Sequence, residues 1–508
     1  MKKKILFCIL MLATLAVSAN PVGVDRASRV AQNAVAYLCA ERHGLDTKQP
    51  IELTYVSPAL GFNLVHVYNY RYGDIKGFII VSGDDMTDPI LAFSDEGELD
   101  SSGPFDNQHL VKNPAFVQQL CHYSEEIKNA REAKASAPAH VTHKWQTLEN
   151  EPLLPKGDFY NDQIRQLLGS MNWGQGKPYN CKCPGPGKAV TGCVATAFGM
   201  IMNYWDYPEH GFGQHSYNGE NNPAAYPDWR YGELSADFQN TYYDWDHMPN
   251  SLDLTSDNAS KNAVGTLLFH IGVALDMRYG EEASGCWSLP EYAIFDTSLH
   301  LSPLISAPYR LSKHFGYKYS YAGMRDSIGD DTLWLQMLYN SLVDSMPIYY
   351  AGWAKDSSAA GHSATSGHGY IIDGYFSDEV DSNFFHINWG WNGNANGFFK
   401  IDAMRPSSYD FTQWHGAVIG FQPDTSYHGY DPLAITSVDN SVPRVYTLNG
   451  SIVTENIANQ PAAIFDIMGR CVATHPANQS DKWTISVRPG IYIVKVGLQA
   501  GQKVIVIM

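Results

Sequence analysis

The segment that begins at Thr191 restricts the fold of this chain most strongly, because it requires a buried helix with a cysteine at its start. Apolar residues recur here at helical spacing, at positions 194, 197, 198, 201, 202 and 205. Thr191 is the predicted N-cap, and Pro208 is expected to end the helix. Cys193 then lies in the first turn, where the positive end of the helix dipole favours a thiolate and lowers the thiol pKa. A catalytic cysteine is expected in such a place, whereas most free cysteines are simply small buried hydrophobic residues.

A nucleophilic cysteine needs a general base, and two Gly-His pairs are available, at residues 361–362 and 367–368. His362 lies in a run of small residues that is typical of a mobile loop. His368 opens a predicted strand, and a base must be held by rigid structure to stay within reach of its nucleophile. His368 is therefore the predicted base.

Two further segments could complete the site. In the segment 384–393, apolar and polar side chains alternate at 385–389 as they do in a strand. Asn388 is placed to accept from the imidazole, and Trp389 is expected to shield that bond from water. Aromatic residues alone would equally fit a core strand. Gln175 lies 18 residues before Cys193. Its side-chain N–H, together with the backbone N–H of Cys193, would form an oxyanion hole.

The chain of 508 residues is expected to contain about three domains. We predict a first block at 20–146, a middle block at 147–424 that carries the chemistry, and a last block at 433–508 with short alternating strands typical of a small antiparallel sandwich. Residues 134–140 (KASAPAH) indicate an exposed linker, with Lys134 and Lys144 as candidate cleavage points.

The first 19 residues are predicted to be a secretory signal peptide. Three lysines precede an apolar run at 5–17, and small residues follow up to position 19. A membrane anchor is the weaker alternative, because the run is shorter than the roughly 20 residues that a bilayer requires. Removal of this segment takes away Cys8 and leaves seven of the eight cysteines, an odd number that indicates a free thiol in an exported protein.

Taken together, the motifs resemble the streptopain family of cysteine peptidases. The matching stretches follow the family's order through the middle block: residues 172–175 (NWGQ) with 178–180 (PYN), 191–197 (TGCVATA), 367–368 (GH) before 372–374 (IDG), and 385–391 (FHINWGW). The resemblance implies an α+β fold with a papain-like core and hydrolysis of protein or peptide substrates by a Cys-His pair. Carried over, the catalytic set is Cys193, His368 and Gln175, supported by Asn388 and Trp389.

The resemblance extends to the outer blocks. Residues 77–85 (GFIIVSGDD) are similar to the family's inhibitory pro-region, which implies a latent zymogen with its own pro-domain as intramolecular inhibitor. Residues 464–470 (IFDIMGR) and 489–496 (PGIYIVKV) resemble the C-terminal sorting domain of the type IX secretion system of Bacteroidetes. The secretion machinery is then a partner, and the protein is expected to be secreted or at the outer surface of a Gram-negative bacterium. A carbohydrate-binding or adhesive sandwich is the alternative for this block.

Two departures from the family pattern stand out. Residues 199–200 are Gly-Met where Ala-Gln is expected, a modest loss of helix propensity. The stretch from Cys286 to about residue 306 resembles an insertion where the family places a loop that lines the substrate cleft. Ser284 and Gly367 are the predicted cleft residues, and the family's preference for an apolar side chain at the second residue before the cut bond carries over weakly.

Composition excludes several other classes. The net charge of −17 argues against nucleic acid as a partner, because phosphate binding needs basic surface. A zinc site from Cys181, Cys183 and Cys193 is disfavoured, since Cys-x-Cys fits structural zinc spacing poorly. We expect no cofactor and no metal. The remaining rival is a catalytically inactive surface module of the same fold that binds proteins.

Overall fold

The structure is a computed structural model that describes ten ranges before the C-terminal block: residues 20–44, 50–100, 113–133, 137–150, 163–218, 231–290, 306–353, 367–377, 383–401 and 415–427. In the C-terminal block it describes residues 444–448, 451–455, 457, 460–466, 471–476, 482–488, 490–496 and 502–506. The predicted signal peptide, Lys134 and His362 lie outside the described residues.

The helices of the described chain are α1 (Val24–His43), α2 (Ser57–Leu60), α3 (Pro114–Ala133), α4 (Ala139–Asn150), α5 (Pro184–Gly187), α6 (Cys193–Trp205), α7 (Asn258–Ala274), α8 (Ala307–Phe315) and α9 (Asp331–Val343). The strands up to residue 423 are β1 (Glu52–Tyr55), β2 (Val65–Tyr72), β3 (Ile75–Ser82), β4 (Ile90–Ser94), β5 (Gln163–Ile164), β6 (Gln214–Asn218), β7 (Glu233–Asp237), β8 (Tyr317–Lys318), β9 (Tyr321–Met324), β10 (Ile348–Trp353), β11 (Gly367–Ser377), β12 (Asn383–Asn388), β13 (Gly397–Phe399), β14 (Gly416–Ile419) and β15 (Gln422–Pro423). Among the residues that the structure describes, no helix combines the length and the apolar character needed to cross a bilayer.

The chain forms two compact units, residues 1–172 with 372–413, and residues 173–371 with 414–508. The first unit therefore contains the predicted pro-domain together with a piece of the predicted catalytic block. Strand β11 contributes its first five residues to the second unit and the rest to the first.

The sheet of the first unit has the strand order β1-β2-β3-β4-β13-β12-β11, with β5 paired to the end of β11. Strand β3 is buried over most of its length because helices cover both of its faces. Ile79 and Val81 join the core that includes α1, while Phe78 contacts Phe116 of α3 at a ring separation of 5.8 Å. Alternation of side chains along the strand explains this division.

Strands β4 and β13 join the predicted pro-domain to the predicted catalytic block within this unit. They pair antiparallel, with Phe93 opposite Phe398. The two rings stack with centroids 5.1 Å apart, and Phe376 and Phe384 meet Phe93 edge-on. The guanidinium of Arg42 lies 4.3 Å from the centre of the Phe398 ring. One hydrophobic core therefore serves both segments.

The second unit contains the strand order β11-β10-β14-β9, beside helices α6 and α7, which pack on each other. The unusual glycine at position 199 has a physical reason here. A Cβ at that position would lie 2.4 Å from Cδ2 of Leu268 on α7, so the glycine allows close approach of the two helices.

The C-terminal strands are β16 (Arg444–Leu448), β17 (Ser451–Glu455), β18 (Ala462–Asp466), β19 (Cys471–His475), β20 (Lys482–Ser486), β21 (Gly490–Val496) and β22 (Gln502–Val506). They form sheets of order β16-β17-β20 and β19-β18-β21-β22. Ile452 from the first sheet and Ile464 and Val494 from the second share one core. The predicted C-terminal all-β block is confirmed. Because helices and antiparallel sheets both occur in the residues before it, the α+β class is also confirmed.

The prediction that Lys144 is a cleavage point in exposed chain is wrong. Lys144 is 6% exposed on helix α4, and its Nζ lies 2.9 Å from Oδ1 of Asp88. This helix also crosses the predicted domain boundary at residue 146. The run of small residues at 134–140 did not indicate this helix, whose large buried apolar side chains, Val141 and Trp145 among them, begin at its third residue.

Candidate active site

Cys193 is the first residue of helix α6, as the sequence predicts, but the cap differs from the prediction. Gly192 is the N-cap at a φ of 86°, which favours glycine. A Cβ there would also lie 3.1 Å from the Ser284 carbonyl oxygen. Thr191 is instead fully buried, and its hydroxyl pairs with that of Thr196 at 2.8 Å.

Most of the apolar face of the helix forms as predicted. Trp205 is half-buried, and the buried members of this face are Val194, Ala197, Phe198, Ile201 and Met202.

His368 is the second residue of β11, and its imidazole is hydrogen-bonded to the Cys193 thiol. The next residue adds a second contact, because the backbone N–H of Gly369 donates to Sγ of Cys193 at 3.4 Å. Both contacts lie within the second unit. The structure thus brings the predicted nucleophile and the predicted base together.

The electrostatics at Cys193 favour the thiolate. Burial raises the pKa of the thiol, but the charge of the His368 imidazole, its hydrogen bond and the N–H groups of Gly369 and Val194 outweigh burial, so the pKa lies below its usual value. Nucleophilic attack requires the thiolate, so this shift activates the group.

Gln175 is held near the nucleophile through its backbone. Its carbonyl oxygen accepts from the N–H of Thr191 at 3.0 Å, and Thr191 lies two residues before Cys193. The residue is half-buried. Since the first N–H groups of a helix have no partner inside it, the Cys193 N–H is available for the second half of an oxyanion hole.

Ser284 braces the predicted cleft loop. Its hydroxyl donates to the Val190 carbonyl at 2.7 Å and accepts from the Gly280 N–H at 3.1 Å, which ties the loop to the segment before α6. Gly367, at the start of β11, is exposed. A contact of either residue with substrate remains a prediction.

Asn388 and Trp389 belong to the first unit, unlike Cys193 and His368. The Asn388 amide donates to the Met171 carbonyl at 2.7 Å, and its oxygen accepts from the Gly390 N–H at 3.1 Å. The Trp389 indole N–H donates to the Ala395 carbonyl at 2.8 Å. These bonds order the turn after β12, and support of the imidazole by the two residues stays a prediction.

The other cysteines do not form a site of their own in the described part of the chain. Cys181 and Cys183 are free thiols, the first exposed and the second buried. Across the described ranges, His, Cys, Asp and Glu side chains form no group of three or more able to hold a metal ion.

Two buried ionic clusters join the predicted pro-domain to residues 372–401 within the first unit. Asp88 binds both Lys144 and Lys400, and although burial raises the pKa of Asp88, these two ammonium groups lower it to about 2. His386 lies between Asp373, at 2.6 Å, and Glu96, at 3.0 Å. Burial lowers the pKa of His386, but the two carboxylates raise it to about 10.

The sequence prediction missed the N–H of Gly369 and the second thiol beside the nucleophile. Burial and the neighbouring Cys193 raise the pKa of Cys286 far above its usual value, which disfavours its thiolate. The glycine after His368 was a sequence signal for the N–H contact, because a close backbone approach often requires a glycine. No sequence signal indicated that the Cys286 thiol lies beside the nucleophile.

Three regions of the chain match protein-family models. Residues 173–399 match the Peptidase C10 family, residues 19–113 match the Spi protease inhibitor family, and residues 432–506 match a domain of unknown function.

Known proteins are similar over most of the chain. Streptopain of Streptococcus pyogenes is 29% identical over 83% of this chain and 100% of its own length. The thiol protease/hemagglutinin PrtT of Porphyromonas gingivalis is 26% identical over 82% of this chain and 43% of its own length. A solved fragment of Prevotella intermedia prointerpain A, with one cysteine changed to alanine, is 28% identical, covers 73% of this chain and 98% of the fragment, and has a TM-score of 0.50.

The matches cover the region that contains Cys193 and His368 and the N-terminal segment whose strand β4 pairs with β13. The predicted papain-like fold and the predicted intramolecular inhibitor are confirmed at the level of the family. Residues 173–399 therefore match the Peptidase C10 family of streptopain-like cysteine peptidases, and residues 19–113 match an inhibitory pro-region, as in a zymogen.

Proposed function

We propose that this chain is a secreted cysteine endopeptidase in which Cys193 is the nucleophile and His368 the general base. The observation that carries the proposal is the contact of one thiol with an imidazole and a backbone N–H, at the start of a helix. A structural cysteine needs none of these partners.

The reaction follows from the positions of these groups. His368 accepts the Cys193 proton, and the thiolate attacks the scissile carbonyl carbon to form a tetrahedral oxyanion. The Gln175 side chain and the Cys193 N–H donate to that oxygen. His368 then protonates the leaving amine as the C–N bond breaks. Water, deprotonated by His368, hydrolyses the thioester, releases the acid and restores the thiol.

Maturation and export are part of the same proposal. Residues 1–19 direct export, the pro-domain at 20–146 keeps the enzyme latent, and the block at 433–508 acts as a sorting domain read by the secretion machinery. The product is secreted or held at the outer surface of a Gram-negative bacterium. The two buried ionic clusters and the shared aromatic core support latency, because they attach the pro-domain firmly.

The test replaces the sulfur. Cys193→Ala is expected to abolish peptidase activity and self-processing, and His368→Ala to reduce both strongly. Cys181→Ala is the matched control: this exposed thiol donates to the Lys261 carbonyl and not to the proposed catalytic groups, so its loss should leave activity unchanged. A thiol-reactive peptide epoxide should modify Cys193 alone. Near wild-type activity of Cys193→Ala, or no adduct at Cys193, would favour the inactive binding module instead.

A further inference from the structure

The N–H of Gly369 reaches the reacting atom without any side chain. It lies 3.4 Å from Sγ of Cys193, and it is fixed by the backbone of β11. A donor that points at an anion gives a charge-assisted hydrogen bond, which is stronger than a neutral one. Its position relative to the sulfur therefore affects how much thiolate is present.

Tyr349 of β10 fills the space between this backbone and the helix of the nucleophile. Its ring is fully buried and stacks on Phe198 of α6, with centroids 4.4 Å apart and planes 9° from parallel. The hydroxyl end of the same ring lies against Gly369. A Cβ at position 369 would lie 2.4 Å from Oη of Tyr349 and 2.8 Å from its Cε2.

Glycine at 369 is required by this packing rather than by its backbone conformation. Gly369 is absent from the described residues with positive φ, so its dihedral angles suit any residue. The three atoms that lie nearest to a Cβ at position 369 all belong to the tyrosine side chain. Replacing the ring with a smaller side chain should consequently make an alanine at 369 acceptable.

We propose that Tyr349 is a positioning residue that spaces β11 from α6 and so sets the Gly369 N–H on the sulfur of Cys193, where this N–H stabilises the thiolate. The inference rests on the proposed function and extends it. The ring acts through its contacts with Phe198 on α6 and with Gly369 on β11.

The groups that surround the sulfur are His368 on β11, the Val194 N–H on α6 and Cys286 on the cleft loop. A change at Tyr349 removes none of them. A shift in the titration of Cys193 in a Tyr349 variant would therefore report displacement of β11 relative to the thiol.

The experiment measures the rate of iodoacetamide alkylation of Cys193 against pH in the full chain, read by peptide mass spectrometry so that the exposed thiols do not interfere. Tyr349→Leu is expected to raise the pKa of this profile by about one unit, which lowers alkylation and kcat/KM below that pKa about tenfold. An unchanged profile with a lowered melting temperature would overturn the proposal, since a purely structural role predicts that result.

Gly369→Ala provides the second arm. It should raise the same pKa in the wild-type background and have little further effect in Tyr349→Leu, because the clash is then gone. Additive effects of the two changes would contradict the proposal. Gly352→Ala, on the same strand as Tyr349, is the control: its Cβ would lie 3.5 Å from His415, an ordinary contact, and the profile should not move.

The two proposals fail in different ways. If Cys193 of the unmodified chain alkylates like an ordinary thiol, with a pKa of roughly 8.5, the catalytic assignment itself is wrong. If the unmodified chain shows the lowered pKa and neither variant changes it, only the role of Tyr349 and Gly369 is wrong.

Discussion

At Cys193 two opposing effects act on one sulfur atom. Removal from water favours the neutral thiol, while an imidazole and two backbone N–H groups favour the anion. The second effect prevails because all three partners are fixed by a helix or a strand. The sequence predicted the helix and the imidazole but not the N–H of Gly369, because a glycine marks a possible close approach without showing which group approaches.

The proposed role of Gln175 as an oxyanion donor predicts how its replacement changes the kinetics. Gln175→Ala should lower kcat by about 10²–10³, because the oxyanion loses one donor and keeps the Cys193 N–H. KM should change little, since the oxyanion exists only after attack. Steady-state kinetics on a peptide substrate measures both constants.

The matched control for this change is Gln336→Ala, an exposed glutamine on α9 whose amide contacts Asn340. That variant should keep its kcat. A loss in Gln175→Ala confined to KM would mean that Gln175 binds the ground state of the substrate and is not an oxyanion donor.

At the scale of elements, periodicity predicted α6 and the C-terminal strands, because each has an apolar face with a regular repeat. It failed at the caps and linkers. Thr191 has the chemistry of an N-cap, yet its hydroxyl is drawn to Thr196, and the turn needs the positive φ of Gly192. Helix α4 was missed because tertiary contacts stabilise it: Trp145 is buried and donates to the Thr87 carbonyl at 2.8 Å.

His386 connects three elements, and its charge gives a prediction about pH. The folded pKa of about 10 lies above the ordinary value near 6.5, so the protonated ring stabilises the fold fully below about pH 6.5. That stabilisation is lost as the pH rises towards 10. The difference in free energy of unfolding between Cys193→Ala and Cys193→Ala/His386→Gln should therefore shrink steadily from pH 7 to 10, as measured by urea denaturation.

The control for this pH series is His247→Gln in the same background. His247 pairs with Asp244 on the surface, where both side chains are about half exposed, so its removal should have a small effect. A difference for His386→Gln that stays constant up to pH 10 would show that its ring is neutral in the fold.

At the scale of the whole molecule, sequence blocks and structural units do not coincide. Motifs and composition indicated three consecutive domains, whereas residues 372–413 belong to the same unit as the pro-domain. The sequence could not reveal this, because the strand pairing of β4 with β13 joins residues about 300 positions apart in the chain. Long-range pairing leaves no local periodic signal.

This organisation predicts that the pro-domain stays bound after the chain is cut. In a Cys193→Ala chain with a site-specific protease sequence inserted between residues 151 and 162, the two fragments should elute together in size-exclusion chromatography at neutral pH. The reason is that one core and two ionic clusters hold both fragments.

Asp88→Asn should weaken that association, because Lys144 and Lys400 would lose their shared carboxylate in a buried place. Glu98→Gln, which removes a surface partner of the half-exposed Arg71, should not. Separate elution of the fragments of the parent chain at micromolar concentration would contradict the prediction.

Strand β11 carries His368 near its beginning and Phe376 near its end, eight positions apart. Phe376 packs in the core shared with the pro-domain, so one strand carries both the proposed base and a contact with the pro-domain. We expect the strand to tolerate few substitutions in a deep mutational scan, with activity and self-inhibition changing in tandem.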